Sequence, residues 1–466
     1  MPIREIEDYW ETIKRLEAAK GNKTQCTAIV RETGVAGLPI CAASPAFSHP
    51  FFFPLDPFHL FYENCMPHFW DMWNTFSSPS EMIYMSEDIA SKLGAEVEKA
   101  MVTLPPSFCG PIRDISKKRQ SQYKIYEWMA LLHWYIVPMA WELGFSSEVI
   151  QNFARFSNVV EYAMTCVSRT KDDISKLYHK IMEFFEEFER LYIVDPSKIS
   201  RFRLCIFQLI QVPFHISYNG SIRFGSQATC ERAIGDIGHG IRSKKSPFKN
   251  IASYRTDKQS ARLLHLIYPT VFPTKTKVQK TALFREVPIT QKQRREDEDL
   301  KAQLRVLQSH PKVGSDPTLQ IKRWAKCPLS NHITLTSQLF EHSRKLTSRT
   351  SRYFEAQEGL QPYQSDDVTE LEVENTKPIF GEALAFYTIV GTDLSFVVYH
   401  SLIERQKQFG RWYGKWAPTL YVLETSAIVG LIGIWTYNNN VHILRRHPGL
   451  TLLTPEESGI VDSEDP

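Results

Sequence analysis

The sequence predicts an α+β protein that is mainly α-helical, and two patterns lead to this prediction. Between about residues 80 and 207, apolar residues recur every three or four positions, which is the period of an amphipathic helix. After residue 379 the pattern changes to short runs separated by turn residues, as in β-strands. The chain has 466 residues, of which 43% are hydrophobic and 23% charged. This length is sufficient for two to four domains, and this composition is typical of a folded protein.

Residues 1–50 are predicted to form one helix followed by a proline-rich extended segment. The helix is expected over residues 3–20, where the apolar residues at helical spacing are Ile3, Ile6, Trp10, Ile13 and Leu16. Prolines at positions 39, 45, 50 and 54 then predict an extended chain up to Asp56.

Residues 51–73 predict a strand, a turn and a helix. The apolar run from Phe51 reaches Asp56, Pro57 interrupts regular pairing, and His59 follows the aspartate by three residues. In this arrangement Asp56 and His59 lie at the end of a buried strand, where open α/β sheets tend to place their chemistry. The alternative is a turn in which Asp56 caps the following helix.

The helical block that follows is predicted to be core packing. One apolar stripe runs over residues 153–167. A second runs from Ile174 to Leu191 and is opened by Asp172 and Asp173, since acidic residues favour a helix N-terminus.

The segment 240–305 is strongly basic. It contains 16 Lys or Arg residues against 6 Asp or Glu residues. Basic clusters suit phosphate contacts through counterion release, and a solvated surface is the alternative explanation. The candidate DNA-contacting residues are Arg242, Lys244, Lys245, Lys249, Arg294 and Arg295.

The last part of the chain is predicted to hold a linker, a small β domain and a tail. Residues 251–375 are first basic and then polar, which is typical of a linker. Strands are expected at 379–390, 394–403, 419–424, 427–437 and 441–444 of a β domain covering 376–453. The acidic residues 454–466 are expected to be disordered.

Several classes of protein are disfavoured by the sequence. The eight cysteines include no Cys-x-x-Cys pair, which indicates reduced thiols rather than a disulfide scaffold or a zinc module. No secretory leader is expected, and the longest apolar run, 427–437, is too short to cross a membrane. Phosphate-binding glycine loops and the HExxH motif do not occur in the sequence.

The remaining candidates for chemistry are Asp56, His59 and Glu231. Enzymes that cut and join phosphodiesters need carboxylates from distant segments that converge on two divalent cations. The alternative roles are a helix cap for Asp56 and a surface ion pair with Arg232 for Glu231.

Several linked motifs resemble the C-terminal half of CACTA-type DNA transposases, most closely the fungal Plavaka group. The first is Leu55-Asp-Pro-Phe-His-Leu-Phe-Tyr-Glu-Asn-Cys-Met-Pro-His-Phe-Trp70. In the order of the sequence it is followed by Pro105-Pro-Ser-Phe-Cys-Gly-Pro-Ile-Arg113-Asp-Ile115, Tyr123-Lys-Ile-Tyr-Glu-Trp128, Glu187-Phe-Glu-Arg-Leu-Tyr192 and Cys230-Glu-Arg-Ala-Ile-Gly-Asp236. The resemblance covers most of residues 33–270 and returns after 379.

The resemblance implies a partial RNase H-like core of the DDE type over residues 51–250, with a helical insertion at about 80–210. It makes Asp56 and His59 supporting residues ahead of the insertion, with His59 orienting a neighbour, and Glu231 the final metal-binding acid after it. The two earlier catalytic aspartates are expected upstream of Met1. In this chain Phe224-Gly-Ser also leads to Glu231 by a shorter path than in the family.

The function implied is an ancestral DNA strand cleavage and transfer that uses Mg²⁺ or Mn²⁺, with transposon ends as partner. We expect the chain as given to be inactive, because two of the three acids are missing from it. The expected location is the nucleus, with the cytoplasm as alternative, and no membrane partner is expected. The alternative functions are a DNA-binding or interaction protein without catalysis, and a fuller enzyme whose start lies upstream.

Overall fold

A computed structural model describes residues 5–47, 52–119, 123–241, 245–268, 271, 283–314, 320–330, 333–341, 349–357 and 378–446. These residues form helices and an antiparallel sheet, which confirms the predicted α+β class. Ile3 and the predicted tail at 454–466 lie outside them. Contacts divide the chain into two units, one of Met1–Cys65 with Val159–Gln227 and one of Met66–Asn158 with Ala228–Pro466.

The α-helices in the described residues are numbered in chain order. They are α1 (Ile6–Ala18), α2 (Lys23–Thr33), α3 (Met66–Asn74), α4 (Glu87–Ala100), α5 (Ile115–Lys118), α6 (Ile125–Ala130), α7 (Ile136–Glu142), α8 (Ser147–Met164), α9 (Lys171–Tyr192), α10 (Leu204–Phe207), α11 (Val212–Asn219), α12 (Ala228–His239), α13 (Pro247–Ile267), α14 (Gln291–Glu296), α15 (Glu298–Gln308) and α16 (Gln338–Glu341). Short 3₁₀-helices lie at Ile40–Ala43, Met101–Thr103, Pro196–Arg201, Gln208–Gln211, Ile222–Gly225 and Thr425–Ala427.

Helix α9 forms as its sequence predicts. The Thr170 hydroxyl accepts a hydrogen bond from the Asp173 N–H, and the Asp173 carboxylate accepts from the Thr170 N–H, a reciprocal cap that fixes the first turn. Its buried face is apolar, and Phe188 stacks on Tyr192 with ring centroids 4.3 Å apart. The predicted helix at the N-terminus is also present as α1.

The prediction of a strand before Asp56 is wrong for the described residues 52–56, which form a turn and irregular chain. The following segment is a π-helix, Phe58–Cys65, which continues into α3. A second π-helix, Leu131–Tyr135, continues into α7. Pro67 and Pro138 follow the two π-helices, and a wider turn relieves the clash of a proline ring with a preceding carbonyl.

The N-terminal extended segment is predicted only in part. Pro39 has extended backbone angles, but a 3₁₀-helix, Ile40–Ala43, follows directly. Helix α2 is not predicted, because Ile29 is its one buried residue and its apolar face is correspondingly weak.

The strands are β1 (Phe284–Glu286), β2 (Ile321–Ser330), β3 (Ile333–Thr336), β4 (Tyr353–Ala356), β5 (Ile379–Ile389), β6 (Ser395–Gln408), β7 (Arg411–Glu424), β8 (Ile428–Tyr437) and β9 (Asn440–Arg445). All their pairings are antiparallel, in the order β1-β2-β5-β4-β8-β9-β7-β6 with β3 on β2. Strand β5 also pairs with β6. A closed ring is therefore formed by six strands, in the order β5, β4, β8, β9, β7 and β6. The five strands predicted after 379 correspond to β5–β9.

Two apolar clusters stabilise this sheet. One lies among the ring strands and includes Phe380, Leu402 and Ile432. The other lies where α15 packs on β5 and β6, and it includes Leu307, Tyr387 and Phe396. The side chains of these residues are almost completely removed from water, which is the main source of their stabilising effect.

The predicted linker at 251–375 differs most from the structure. Its described residues contain most of α13, α14 to α16 and the four strands β1 to β4, which belong to the same sheet as β5–β9. The prediction of a small separate β domain is therefore wrong, because its five strands belong to a larger sheet. Among the described residues, no helix is both long and apolar enough to cross a membrane.

Candidate functional site

The carboxylate of Asp56 is held by contacts within the first unit. Its Oδ1 accepts hydrogen bonds from the backbone N–H of Phe58 at 3.0 Å and of Gln227 at 3.1 Å. Its Oδ2 contacts Nδ1 of His59. The side chain is only 11% exposed. Asp56 therefore caps the π-helix and also ties it to a residue 171 positions later.

His59 lies between two carboxylates of its own segment. Nδ1 contacts Asp56, and Nε2 lies 3.3 Å from Oε2 of Glu63, whose side chain is 52% exposed. The π-helix at 58–65 is also held by the Asn64 side chain, which donates to the His59 carbonyl at 2.8 Å. His59 thus orients, and is oriented by, local partners on the π-helix.

Gly225 permits the close approach that brings Gln227 to Asp56. A Cβ at Gly225 would lie 2.5 Å from the Leu55 carbonyl oxygen and 3.0 Å from the Pro54 ring. The backbone atom cannot give way, so any larger residue would push the two segments apart. The short path from Phe224 to Gln227 is therefore packed against the residues before the π-helix.

Glu231 lies in the first turn of α12 and is exposed. An acidic side chain in this position is favoured by the helix dipole. Glu231 belongs to the second unit, whereas Asp56 and His59 belong to the first. The predicted pairing of Glu231 with Arg232 involves a side chain outside those described.

The described residues do not fit the metal that the resemblance implies. A two-metal site needs several carboxylates that converge on the ions. Within the ranges that the structure describes, no group of three or more His, Cys, Asp or Glu residues could hold a metal ion. Both oxygens of Asp56 already contact N–H groups or a ring nitrogen, which leaves them poorly placed as metal ligands.

Four of the six predicted DNA-contacting residues can be located. Lys245 is exposed just before α13, and Lys249 is exposed in the first turn of that helix. Arg294 and Arg295 are exposed on α14. Within the described ranges, no hydrogen bond or ion pair joins these two pairs. Arg242 and Lys244 lie outside the described residues.

A basic stripe on α13 was missed by the sequence prediction. It consists of Arg255, Lys258 and Arg262, which share one helix face because they are three and four residues apart. Arg255 and Arg262 are exposed, and Nζ of Lys258 lies 3.6 Å from Oδ2 of Asp236 on α12. Lys249 lies roughly 120° around the helix from the stripe. The three- and four-residue spacing of Arg255, Lys258 and Arg262 could have been found in the sequence.

A cation–aromatic face, formed by Arg285, Lys322, Trp324 and Lys326, was also missed. The last three residues alternate along β2, so their side chains leave the same side of the sheet. Nζ of Lys326 lies 4.2 Å from the ring centroid of Phe340, and Cζ of Arg285 lies 4.8 Å from it. Arg285 has a φ of 66°, a strained value for a residue other than glycine.

Two of the motifs on which the resemblance rests are joined by a buried ion pair. Glu127 is fully buried and accepts hydrogen bonds from Nε of Arg113 at 2.8 Å and from its backbone N–H at 3.0 Å. The Glu127 carboxylate also accepts from the Lys124 N–H at 2.7 Å. These residues therefore serve the fold of the second unit.

A further set of contacts holds the proline-rich motif at 105–115. The guanidinium of Arg349 donates to the carbonyl oxygens of Leu104 and Pro105, each at 2.9 Å, and to that of Cys109 at 2.5 Å. Buried backbone outside helices and strands needs such donors, because its carbonyl groups have no hydrogen-bond partner in regular secondary structure.

Comparison of the chain with protein-family models, with curated proteins and with solved structures gives no match.

Proposed function

We propose that the chain is a DDE-transposase-derived protein that binds double-stranded DNA and does not cut it. In this proposal the helices of about residues 80–210 derive from an insertion in an RNase H-like core, and Glu231 derives from its last metal-binding acid. The proposed location is the nucleus, where the DNA partner resides.

The observation that carries the proposal is the exposed basic stripe on α13. Its outer members, Arg255 and Arg262, are two helix turns apart, about 10 Å along the axis. Cations in a row on a helix suit a row of phosphates along a DNA backbone. The only acidic residue of α13, Asp257, is placed away from the stripe by the helix period.

The absence of cutting in this proposal is supported by the contacts of Asp56. A carboxylate that accepts two backbone N–H bonds and contacts a histidine has a structural task that explains its presence. No reaction step is therefore assigned to Mg²⁺ or Mn²⁺.

Neutralising the stripe is expected to weaken DNA binding. In the double variant Arg255→Gln/Arg262→Gln, the dissociation constant for a 30-base-pair duplex should rise about 10- to 100-fold near 100 mM salt. The slope of log K against log salt should become shallower by about 2, since each phosphate contact contributes about 0.9. Fluorescence anisotropy at four salt concentrations measures both quantities.

The matched control removes the same charge elsewhere. Lys14→Gln/Lys20→Gln changes two exposed lysines in and just after α1, and it should leave the slope unchanged. A second comparison, Arg294→Gln/Arg295→Gln, tests the predicted contribution of α14. Equal effects of all three double variants would show that only net charge matters and would refute a binding stripe.

The proposed lack of chemistry has its own test. Supercoiled plasmid is incubated with the protein and Mg²⁺ or Mn²⁺, and no nicking above the rate of a metal-free sample is expected. Nicking that disappears in Glu231→Gln would overturn this part of the proposal while leaving DNA binding intact.

A second candidate function is favoured by the cation–aromatic face. Proteins that hold single-stranded DNA combine cations for the backbone with aromatic rings on which bases stack. Trp324 is partly exposed between Lys322 and Lys326, and its indole N–H donates to the Thr388 hydroxyl at 2.9 Å, which fixes the ring.

Replacing Trp324 is expected to weaken binding to a single strand but not to a duplex. Trp324→Ala should raise the dissociation constant for an oligo(dT) about 5- to 150-fold, because stacking contributes about 1–3 kcal/mol per base. Trp324→Phe keeps a stacking ring and should retain most of the affinity. Equal losses in both variants, measured by anisotropy, would show that the indole serves the fold through Thr388.

A further inference from the structure

Two cysteines of the first unit, distant in sequence, meet in the structure. Cys65 ends the π-helix at 58–65, and Cys205 lies in α10, 140 residues later. The Cys65 thiol donates to the Cys205 carbonyl oxygen at 3.5 Å. This hydrogen bond places the Cys65 sulfur directly against the backbone of Cys205. All eight cysteines are free in this structure.

The surroundings of the two sulfur atoms differ. Cys65 is completely buried, and this burial raises the pKa of its thiol well above the ordinary value. Cys205 is partly exposed. The hydrogen bond from Cys65 lowers the pKa of Cys205, aided by the Ile206 N–H and the charge of Arg203, although burial opposes the shift. Cys205 is thus the more nucleophilic and the more accessible member of the pair.

We propose that Cys65 and Cys205 form an oxidant-sensitive dithiol that hydrogen peroxide converts to a disulfide. The inference is independent of DNA binding. It rests on the proximity of two thiols from separate segments, one open to solvent and one behind it.

The reaction has two steps. The Cys205 thiolate attacks one oxygen of hydrogen peroxide, the O–O bond breaks, and the departing hydroxide takes a proton to leave as water. The resulting sulfenic acid is then attacked by the Cys65 sulfur. An S–S bond forms, the S–O bond breaks, and the hydroxide leaves as water with the proton of Cys65. The two sulfurs together lose two electrons, and peroxide gains them.

The disulfide would connect the π-helix that bears His59 to the start of α10. Cross-links that close long loops stabilise the native state by restricting the unfolded chain. A rise of about 5 °C in Tm is expected for the oxidised protein, and a dithiol reductant should reverse it.

The test is a peptide map of the full-length protein. It uses a Cys41→Ser background, because Cys41 and Cys65 share the tryptic peptide 32–92. The protein is treated with hydrogen peroxide, quenched with catalase, alkylated and digested without reduction. The expected product is peptide 32–92 joined to peptide 204–223, at 2 Da below the sum of their masses.

Two variants assign the roles of the cysteines. In Cys65→Ala, oxidation should stop at the sulfenic acid of Cys205, which a dimedone probe labels. In Cys205→Ser, peptide 32–92 should remain fully alkylated. The exposed Cys230 serves as the control, and Cys230→Ser should still give the cross-linked peptide.

The proposal is overturned if both thiols are still fully alkylated at a peroxide concentration that oxidises Cys230. It is equally overturned if Cys205 is found joined to a cysteine other than Cys65. Because both results are read from the protein with Cys65 and Cys205 in place, they do not depend on how well the variants fold.

Discussion

Replacement of Glu127 by glutamine is expected to lower the free energy of unfolding by about 3 kcal/mol. The carboxylate is fully buried and accepts from the guanidinium and backbone of Arg113 and from the backbone of Lys124. An amide group offers one oxygen in place of two and turns an N–H group toward the arginine. Removing one partner of a buried pair costs about 3–5 kcal/mol, and the 36% exposure of Arg113 favours the lower end.

Urea denaturation followed by far-ultraviolet circular dichroism measures this loss. The control is Lys92→Gln, which breaks an exposed pair with Asp88 and should leave the free energy of unfolding nearly unchanged. A loss below about 1 kcal/mol in Glu127→Gln would contradict a structural role for the pair. It would then be more reasonable to seek another task for the motif at 123–128.

The second large effect is expected at Asp56. Asp56→Ala removes the acceptor of two backbone N–H groups and should cost about 2–3 kcal/mol of unfolding free energy. Asp56→Asn keeps the oxygen that accepts both bonds, so it should cost about 1 kcal/mol. The graded response separates a cap from a metal ligand, because loss of a ligand alone would leave the stability of the metal-free protein unchanged.

The measurement for Asp56 is a urea midpoint determined in the presence of a chelator. Glu63→Ala is the matched control, since Glu63 contacts the other nitrogen of His59 but is half exposed. It should cost less than about 0.5 kcal/mol. Equal midpoints for wild type, Asp56→Ala and Asp56→Asn would contradict the structural assignment.

These two sites clarify what the motifs of the transposase resemblance do in this chain. Arg113 and Glu127 come from two motifs and meet in one ion pair. The motif with Asp56 is anchored on Gln227, four residues before Glu231. The shared residues therefore have structural tasks that do not require catalysis, which is in keeping with the proposal of a DNA-binding protein.

Segments with a strong local period could be predicted from the sequence. Helix α9 has both a capped start and an uninterrupted apolar stripe, and β5 to β9 are apolar runs separated by turn residues. Strand β2 could not be predicted in the same way. Its inward face includes the buried Arg323 and its outward face carries Lys322 and Lys326, so the alternation of polar and apolar residues is lost.

The sequence by itself determined the fold class, the main helices, the last five strands and the basic character of residues 240–305. Only the tertiary structure decided what the candidate residues contact. Asp56 meets Gln227 across 171 positions, and Arg349 meets the carbonyl of Leu104 across 245. Helical and strand periods report on neighbours a few positions apart, whereas such contacts depend on where the whole chain folds back. For this reason the predicted strand-end site became a helix cap, and the linker became part of the sheet.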